Sequence, residues 1–474
     1  MSDSACFSVS RWPVRGMVTV LGGFLVHLTL STTYVFGNMN PYVTSYLRGG
    51  EENSSVGYTQ TIWISTAQAM SMAGAMPILG LLEQRIHPKY CVLIGSWTFS
   101  LGMALTYWTV RHSLGLTILT YGVVHGAGKG MAYPAAVKCG LECFPKRKGL
   151  VTGLIIAGIG GGTFVFNEVI THFINPYNLL PETSHQGDLY FSQAVLLDKV
   201  PYCFLLLGGV DAGIQLLAVL LIGKHEPAAP APENSALTEE TQMDHVLDCP
   251  VNKENYEDGE GLGAKSKSGV EEKTDYAPWE VLRTKIFYLM WAIYVCVVLG
   301  IFFITNFYKT FSQTFIKDDH FLSLAGSVSS VLNALGRPFW GAVGDKLGYR
   351  ESLVVVCAIL GSAAATFTLC EYGGKVMLII WMCLIYGTFS GFFCIMPSLN
   401  VSIFGHKYYS SNYGLLMSAM IVVQIAGGLL TSQLKDTIGW KGILYIGAGG
   451  VFFSLILSVG MMIHHRRQRK KHQM

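Results

Sequence analysis

The sequence predicts an all-α, multi-pass membrane protein with twelve transmembrane helices in two pseudo-symmetric six-helix bundles. Three observations predict this class: a high apolar content, a series of long apolar runs, and an internal repeat. Of the 474 residues, 51% are hydrophobic and only 13% are charged. A soluble globular chain usually carries about 25% charged residues. The composition therefore excludes an ordinary soluble domain.

The individual spans follow from the length of the apolar runs. Crossing the hydrocarbon core takes about 20 apolar residues at 1.5 Å rise each. Six runs before a long polar stretch and six runs after it meet this length. In chain order they are Gly16–Leu47, Gly57–Leu82, Tyr90–Val110, Leu114–Cys139, Gly149–Phe173, Pro201–Ile222, Ile286–Tyr308, Phe321–Val343, Ser352–Cys370, Val376–Ile403, Tyr413–Leu434 and Lys441–Ile463.

The polar stretch divides the chain into domains. It is rich in Glu, Asp, Lys, Pro, Ser and Gly and has no apolar periodicity, which is typical of disorder. We expect a first bundle over 1–222, a mostly disordered linker over 223–285, a second bundle over 286–463 and a basic tail over 464–474. The end of the linker, "DYAPWEVLRTKIF", is expected to form a short interfacial helix before the seventh span.

Basic residues indicate the orientation. The short loops on one side of the predicted spans, together with the C-terminal tail, carry the excess of Lys and Arg. Such loops usually face the cytoplasm. Both termini and the linker are therefore expected to be cytoplasmic, and a plasma membrane is favoured over an organelle.

The two halves carry a related pattern around the fourth and tenth spans. Each contains a proline, then a Gly-Leu pair, then a Gly-Gly pair at nearly the same spacing. Internal duplication is typical of transporters, in which one repeat rocks against the other around a central site. The matching positions are Pro134, Gly149-Leu150 and Gly161-Gly162 in the first half, and Pro397, Gly414-Leu415 and Gly427-Gly428 in the second.

A charged, glycine-containing motif follows the eighth span. Its glycines permit a tight turn and close helix approach, and its charges can pair between adjacent helices. The counterpart after the second span, "GLLEQRIHPK", keeps charges at Glu83 and Arg85. This spacing resembles the loop signature of the major facilitator superfamily, which implies the major facilitator fold. The motif residues are Gly341, Asp345, Lys346, Gly348 and Arg350.

A closer resemblance covers nearly the whole chain. The stretches "AYPAA", "CFPKRKGLVTGLIIAGIGGG", "PWEVLRTKIFYLMW" and "NALGRPFWGAVGDKLGYR" resemble the oxalate/formate antiporter group, and its eukaryotic monocarboxylate-transporter-like members most. The resemblance implies secondary active or facilitative transport of small organic anions by alternating access. Exchange, uniport and proton symport all stay open, so the partners implied are the anion, the lipid bilayer, and protons or a counter-anion.

Arg337 is the foremost candidate for holding that anion. An arginine at the centre of a spanning helix costs about 2.5–3.5 kcal/mol on insertion scales, so it normally faces a cavity or a partner. Its planar fork suits a carboxylate bidentately, and Asn333, four residues earlier, shares its helix face. The resemblance implies the same role, because an arginine at this place contacts the substrate carboxylate in both relatives. The alternative is an arginine near a membrane surface that snorkels.

Two departures from the relatives bear on the substrate. Proton-linked monocarboxylate carriers have a carboxylate where this chain has Asn333, which cannot titrate. Oxalate antiporters have a lysine in the eleventh span where this chain has Met420. One cation fewer suits a monoanion better than a dianion.

Other charged residues within spans are Lys129 and Asp211. One interpretation is a compensating ion pair between them, because an unpaired buried charge is costly. A second is that Lys129 is another cationic site for the anion. Asp211 and Glu168, which is expected nearer the outer face, are candidates for proton coupling.

Polar residues could complete the site inside an apolar pocket. The candidates are Tyr34, Asn38, Tyr133 and Asn306. Asn40-Pro41 is expected to break the first span near its outer end.

Other function classes have weaker support. The sequence holds no paired-His metal motif, nucleophile elbow or phosphate-binding loop, so we expect no enzyme activity, no cofactor, no metal site and no nucleic-acid partner. Two alternatives stay open: a carrier of another small solute, such as an amino acid or a vitamin, and a transport-inactive membrane sensor on the same scaffold.

Overall fold

The computed structural model describes residues 14–49, 56–177, 179, 181–185, 188–223, 275–312, 314–316 and 318–473. The predicted disordered linker and the N-terminal residues 1–13 lie outside this range, apart from the linker's last residues. Within the described range the chain folds as two helical halves.

Nine helices of the first half fall within the described residues. They are α1 (Val14–Leu30), α2 (Phe36–Gly49), α3 (Tyr58–Leu82), α4 (Pro88–Thr109), α5 (Leu114–Thr117), α6 (His125–Cys143), α7 (Lys148–Ile174), α8 (Ala194–Leu197) and α9 (Lys199–Leu221). A 3₁₀ turn, Ser31–Thr33, joins α1 to α2, and a π-helical segment, Ile118–Val124, joins α5 to α6.

The second half follows the same plan. The linker enters it through α10 (Pro278–Val281), the short helix predicted before the seventh span. The remaining helices are α11 (Lys285–Ser312), α12 (Asp319–Leu347), α13 (Tyr349–Thr366), α14 (Cys370–Phe404), α15 (Tyr409–Met417) and α16 (Ala419–Gln473). Gly374, with φ 59°, and Gly439, with φ 65°, break α14 and α16 where loops between spans were predicted.

Length and composition confirm an integral membrane protein. Eight helical segments of the described residues are long and apolar enough to cross a membrane, and one of them, Tyr349–Phe404, contains two predicted spans. The second, fourth and eighth predicted spans fall in α3, α5–α6 and α12, which do not meet that criterion. α3 is rich in Thr, Ser and Gln, and α6 and α12 contain charged residues. All three helices border the interior cavity described below.

The structure corrects two details of the prediction. The first span is interrupted at Ser31–Thr33, whereas Pro41 lies inside the continuous helix α2, where Asn40 accepts a hydrogen bond from Thr44 (3.1 Å). The fold also includes a small two-stranded hairpin after α7, with β1 (Thr183–His185) antiparallel to β2 (Asp188–Tyr190). Proline lacks a backbone N–H, so it removes one hydrogen bond from the helix. Membrane helices tolerate this loss because neighbouring groups can satisfy the freed carbonyl.

The halves meet closely along α7 and α12. Glycines make this approach possible, because a Cβ at Gly153 would meet the backbone of Arg337 and Pro338, and a Cβ at Gly160 would lie 2.7 Å from that of Ala334. A second contact joins α3 to α15, where Ser411 donates to the Pro77 carbonyl (3.1 Å). Such small-residue contacts are the usual way for helices to pack inside a bilayer.

Candidate functional site

A cavity of about 440 Å³ lies between the two halves near the middle of the spans. Its walls are mostly apolar, with a few polar groups and one cationic side chain. No Asp or Glu side chain lines it among the residues that the structure describes. The lining residues are Tyr34, Met72, Tyr133, Ile159, Gly160, Thr163, Val298, Phe302, Thr305, Asn306, Ser330, Asn333, Arg337, Tyr386, Phe389, Phe393, Met417, Met420, Val423 and Gln424.

Arg337 is the cation in this wall. Its side chain is buried, with 7% of its surface exposed. Nη1 donates to the carbonyl of Ile156 across the interface (2.5 Å), Nη2 donates to Asn333 Oδ1 (3.1 Å), and Nε has no hydrogen-bond partner. Both partners are neutral, so within the described range no carboxylate balances the charge. The side chain points into the bundle, which contradicts the snorkelling alternative.

Asn333 orients the arginine. Its amide nitrogen donates to the Tyr386 carbonyl of α14 (3.0 Å). This hydrogen bond fixes the orientation of the amide, so that its oxygen faces Arg337. The guanidinium is therefore held from two sides, by α7 and by its own helix. A cation that is already positioned loses little freedom when it binds a ligand.

Lys129 lies just behind the cavity wall. Its ammonium sits over the ring of Tyr34, 3.8 Å from the ring centroid, and only 1% of the lysine is exposed. Tyr34, in contrast, is 51% exposed and lines the cavity. The aromatic face stabilises the buried cation and at the same time separates it from the cavity.

One of the interpretations of Lys129 and Asp211, a compensating ion pair between them, is wrong. Asp211 is fully buried in α9, and its Oδ2 accepts a hydrogen bond from Thr32 (3.2 Å). Among the described residues, no ion pair or hydrogen bond joins the two charges. The helices carrying them are rotated so that each charge meets the interrupted first span instead, through Tyr34 and Thr32.

The remaining predicted residues divide into two groups. Tyr133 and Asn306 line the cavity, and the Tyr133 ring stacks on Tyr413 of the second half with centroids 6.3 Å apart. Asn38 does not line it, which corrects its predicted role: its amide donates to the Asn167 carbonyl and to Thr171, and so holds α2 against α7. Its position beyond the break at Ser31–Thr33 turns it away from the cavity.

Glu168 is also outside the cavity. Its side chain is 58% exposed, and its carboxylate lies 3.7 Å from the ring of His172, one turn along α7. An exposed pair of this kind is screened by solvent. Glu168 is not one of the residues that line the cavity.

The charged motif joins the two halves at the end of α12. Asp345 accepts hydrogen bonds from the backbone N–H groups of Gly149 and Leu150 (2.8 Å each) and from the Tyr349 hydroxyl (2.6 Å). It therefore caps α7 rather than only pairing with a basic neighbour. Gly348, with φ 93°, makes the turn between α12 and α13, and Lys346 and Arg350 flank it at the same end. In the first half, Glu83 forms a buried ion pair with Lys138 (3.1 Å).

Several wall residues were not foreseen from the sequence. They recur at helical spacing on single faces, with Tyr386, Phe389 and Phe393 on α14, and Met417 and Gln424 on α15 and α16. The spacing was visible, but an apolar face of this kind predicts core packing equally well. Met420, which replaces the lysine of the oxalate antiporters, does line the cavity.

Two helical halves around a cavity at mid-span define a multi-pass membrane carrier. The model of the Major Facilitator Superfamily matches residues 19–406 and 290–473 of this chain. The chain belongs to the Major Facilitator Superfamily, as the motif predicted.

Individual relatives agree with the predicted group. The chain is 28% identical to "Apicoplast pyruvate carrier 1" of Toxoplasma gondii, over 93% of this chain and 87% of that protein. It is 24% identical to the "Oxalate:formate antiporter" of Oxalobacter formigenes, over 90% of this chain and 88% of that one. The crystal structure of the E. coli fucose:proton symporter FucP superposes with a TM-score of 0.63 and 14% identity, over 94% of this chain and 98% of that one. At this identity the last similarity concerns the fold alone.

Proposed function

We propose that the protein is a secondary active or facilitative carrier of small organic monoanions of the monocarboxylate kind. It works by alternating access, in which the two halves rock so that the cavity opens to one side of the membrane and then to the other. The observation that carries the proposal is Arg337, a buried guanidinium in the cavity wall whose hydrogen-bond partners among the described residues are two neutral oxygens.

The chemistry of the wall supports an anionic ligand. A charge buried in low dielectric is costly without an opposite charge, and within the described residues Arg337 has none. A carboxylate entering the cavity supplies that charge and accepts the parallel N–H donors of the fork. The absence of Asp and Glu from the described lining leaves the field there positive, which disfavours cationic solutes.

The size and polarity of the site support a short monoanion. Of the described residues, one cation, Arg337, lines the cavity. Met420 occupies the place of a second cation, and Lys129 is covered by Tyr34. The rest of the wall is largely aromatic and aliphatic, which suits a small apolar body such as the methyl group of pyruvate or lactate. The relatives named for pyruvate and for oxalate and formate support the same class. Membership of a carrier superfamily supports a transporter rather than an enzyme.

Asn333, Tyr34, Tyr133 and Asn306 complete the proposed binding site, since these residues line the same cavity as Arg337. In this conformation Asp345 joins the end of α12 to the start of α7 and so holds the two halves together on the motif side. Releasing that contact would let α12 move away from α7 and open the cavity on the motif side.

The proposed topology has both termini and the 223–285 linker in the cytoplasm, with bundles over 1–222 and 286–463. The distribution of Lys and Arg supports it. A plasma-membrane location is favoured over an organelle.

Uptake by the purified protein in proteoliposomes tests the function. The substrates are labelled pyruvate, lactate, formate, oxalate and alanine, each with and without a pH gradient, and protein-free liposomes are the control. We expect saturable uptake of the monocarboxylates, weaker uptake of oxalate and none of alanine. Binding without uptake would identify a sensor instead, and a preference for alanine would identify an amino-acid carrier; either result contradicts the proposal.

A further inference from the structure

Asp211 is a fully buried carboxyl group that the proposed anion site does not use. Its Oδ2 accepts the hydroxyl of Thr32 (3.2 Å), and its Oδ1 has no hydrogen-bond partner. Among the described residues, no Lys, Arg or His nitrogen lies within 4.0 Å of the Asp211 carboxyl oxygens, the distance limit for an ion pair. A span would lose nothing in apolar packing by having Leu here, so the acid needs another explanation.

The neighbouring elements carry titratable groups, but each of these is engaged elsewhere. Tyr121 of the π-helical segment donates toward the Thr32 carbonyl (3.5 Å). On α6, His125 contacts the Phe99 carbonyl (3.0 Å) and Lys129 lies over Tyr34. Further titratable groups lie on α1, α4, α7 and α9 itself. His27 packs on Tyr133, Tyr107 packs on Tyr202, Glu168 pairs with His172, and Cys203 is buried.

The carboxyl group therefore has no charge to balance it. An ionised carboxylate without a cation is strongly destabilised in a low-dielectric interior, whereas the neutral acid is tolerated. In this conformation, with the motif side closed, Asp211 is expected to hold a proton. Polar side chains extend around it, since Gln215, one turn along α9, donates to Thr29 (2.9 Å) and accepts from Ser100 (2.6 Å).

The interrupted first span connects this acid with the anion cavity. Thr32 contacts Asp211, and two residues later Tyr34 lines the cavity and covers Lys129. Thr33, between them, lies 3.4 Å from the ring nitrogen of His125. Interrupted helices at mid-span are typical of substrate and ion sites in carriers. A movement of Tyr34 on anion binding would therefore be transmitted directly to the residue that holds Asp211.

We infer that Asp211 is a proton-binding residue that couples proton movement to anion movement in symport. The inference rests on the proposed function. An anion in the cavity makes a second negative charge at Asp211 less favourable, so anion and proton load together. The loaded carrier then moves one proton and one monoanion with no net cargo charge, and the proton leaves the carboxyl group when the first span shifts and water reaches it.

The test compares the wild type, Asp211→Asn and Glu168→Gln in proteoliposomes. Asparagine keeps the size of the side chain and an oxygen for Thr32, but it cannot release a proton. Two measurements are made on each protein: accumulation of labelled pyruvate driven by an inward proton gradient, and exchange of labelled for unlabelled pyruvate without a gradient. We expect Asp211→Asn to lose gradient-driven accumulation while keeping exchange, and Glu168→Gln to keep both.

The outcomes separate this inference from the proposed function. Accumulation by Asp211→Asn at the wild-type level would overturn the role of Asp211 while leaving the carrier function intact. A wild type that shows neither accumulation nor exchange of pyruvate would overturn the proposed function, and this inference with it. If Asp211→Asn shows no exchange because it misfolds, Thr32→Val is measured instead. This change removes the hydrogen bond that Thr32 donates to the acid, and it must change the pH dependence of uptake. An unchanged pH profile in Thr32→Val would then contradict the inference.

Discussion

The carboxylate of Asp345 in the second half accepts a hydrogen bond from the backbone N–H group of Gly149 in the first half (2.8 Å). The adjacent N–H of Leu150 makes the same contact. Asp345 thus occupies the N-terminal end of α7, where the helix dipole favours a negative charge. Gly341, one turn before Asp345, lies so close to Gly149 that a Cβ on either glycine would collide with the carbonyl of the other. One carboxylate therefore fastens the two halves at the motif side.

Asp345→Asn is expected to loosen this contact. An amide can accept from only one of the two N–H groups without presenting its own N–H₂ to the other, and charged hydrogen bonds contribute roughly 1.5–3 kcal/mol. Cys394 reports the result, because its buried thiol donates to the Gly149 carbonyl (3.2 Å). Labelling of Cys394 by a maleimide, followed by mass spectrometry of its peptide, should become faster. Glu351→Gln, which breaks an exposed pair with Arg466, is the control. Equal labelling in both variants would show that Asp345 does not hold the halves together.

Two neighbouring glycines of α7 are expected to respond oppositely to alanine. A Cβ at Gly160 would lie 2.7 Å from the Ala334 Cβ, whereas a Cβ at Gly161 would meet nothing within 4 Å. Gly160→Ala should force α7 and α12 apart and lower both the unfolding temperature and the transport rate. Gly161→Ala should be neutral or stabilise the helix by up to about 1 kcal/mol. Thermal unfolding in detergent and pyruvate exchange in liposomes measure the two effects. Identical behaviour of the two variants would contradict the close α7–α12 contact.

Arg337→Lys is expected to weaken anion binding while leaving the protein folded. Lysine keeps the charge but cannot form the planar two-donor contact with a carboxylate. A lost charged hydrogen bond of roughly 1.5–3 kcal/mol corresponds to about a ten- to hundredfold loss of affinity. Calorimetric binding of pyruvate to the purified variant measures the loss, and a thermal unfolding curve controls for folding. Near-normal affinity would mean that Arg337 only anchors its helix and that the anion binds elsewhere.

Tyr34 is expected to matter through its ring rather than its hydroxyl. The ring lies against the Lys129 ammonium, and a desolvated cation–π contact is worth about 2 kcal/mol or more. Tyr34→Phe keeps the aromatic face and should retain both expression and transport. Tyr34→Leu leaves the lysine without its ring and should lose much of both. Expression by fluorescence size-exclusion chromatography and uptake in liposomes provide the readouts. Equal loss in both variants would point to the hydroxyl instead.

Both termini are expected to be cytoplasmic. Epitope tags are added before Met1 and after Met474 in separate proteins, and antibody binding is compared before and after permeabilising the cells. The excess of Lys and Arg on that side predicts binding only after permeabilisation. A tag inserted in the loop between α3 and α4 is also expected to be reached only after permeabilisation, because the proposed topology puts that loop on the same side as the termini. Binding of either terminal tag in intact cells would reverse the proposed topology.

The candidate site was predictable where the free-energy cost of burying a single charged residue was large enough to restrict its surroundings. An arginine in an apolar run is expensive enough to require a cavity or a partner, and Arg337 does line the cavity. Its neighbour Asn333 followed from helical spacing. The pairing of Lys129 with Asp211 was wrong because two buried charges can each be accommodated separately, here by an aromatic ring and by a hydroxyl.

By itself the sequence determined the membrane class, the twelve spans, the two related halves and the motif of Asp345, because length, apolarity and spacing are properties of a single segment. Only the tertiary structure decided which polar groups meet. Each residue turns a helix by about 100°, so the break at Ser31–Thr33, which the sequence suggested at Asn40-Pro41, changes the faces that Tyr34 and Asn38 present. That rotation directs Tyr34 to the cavity and Asn38 to α7, and no local pattern in the sequence encodes it.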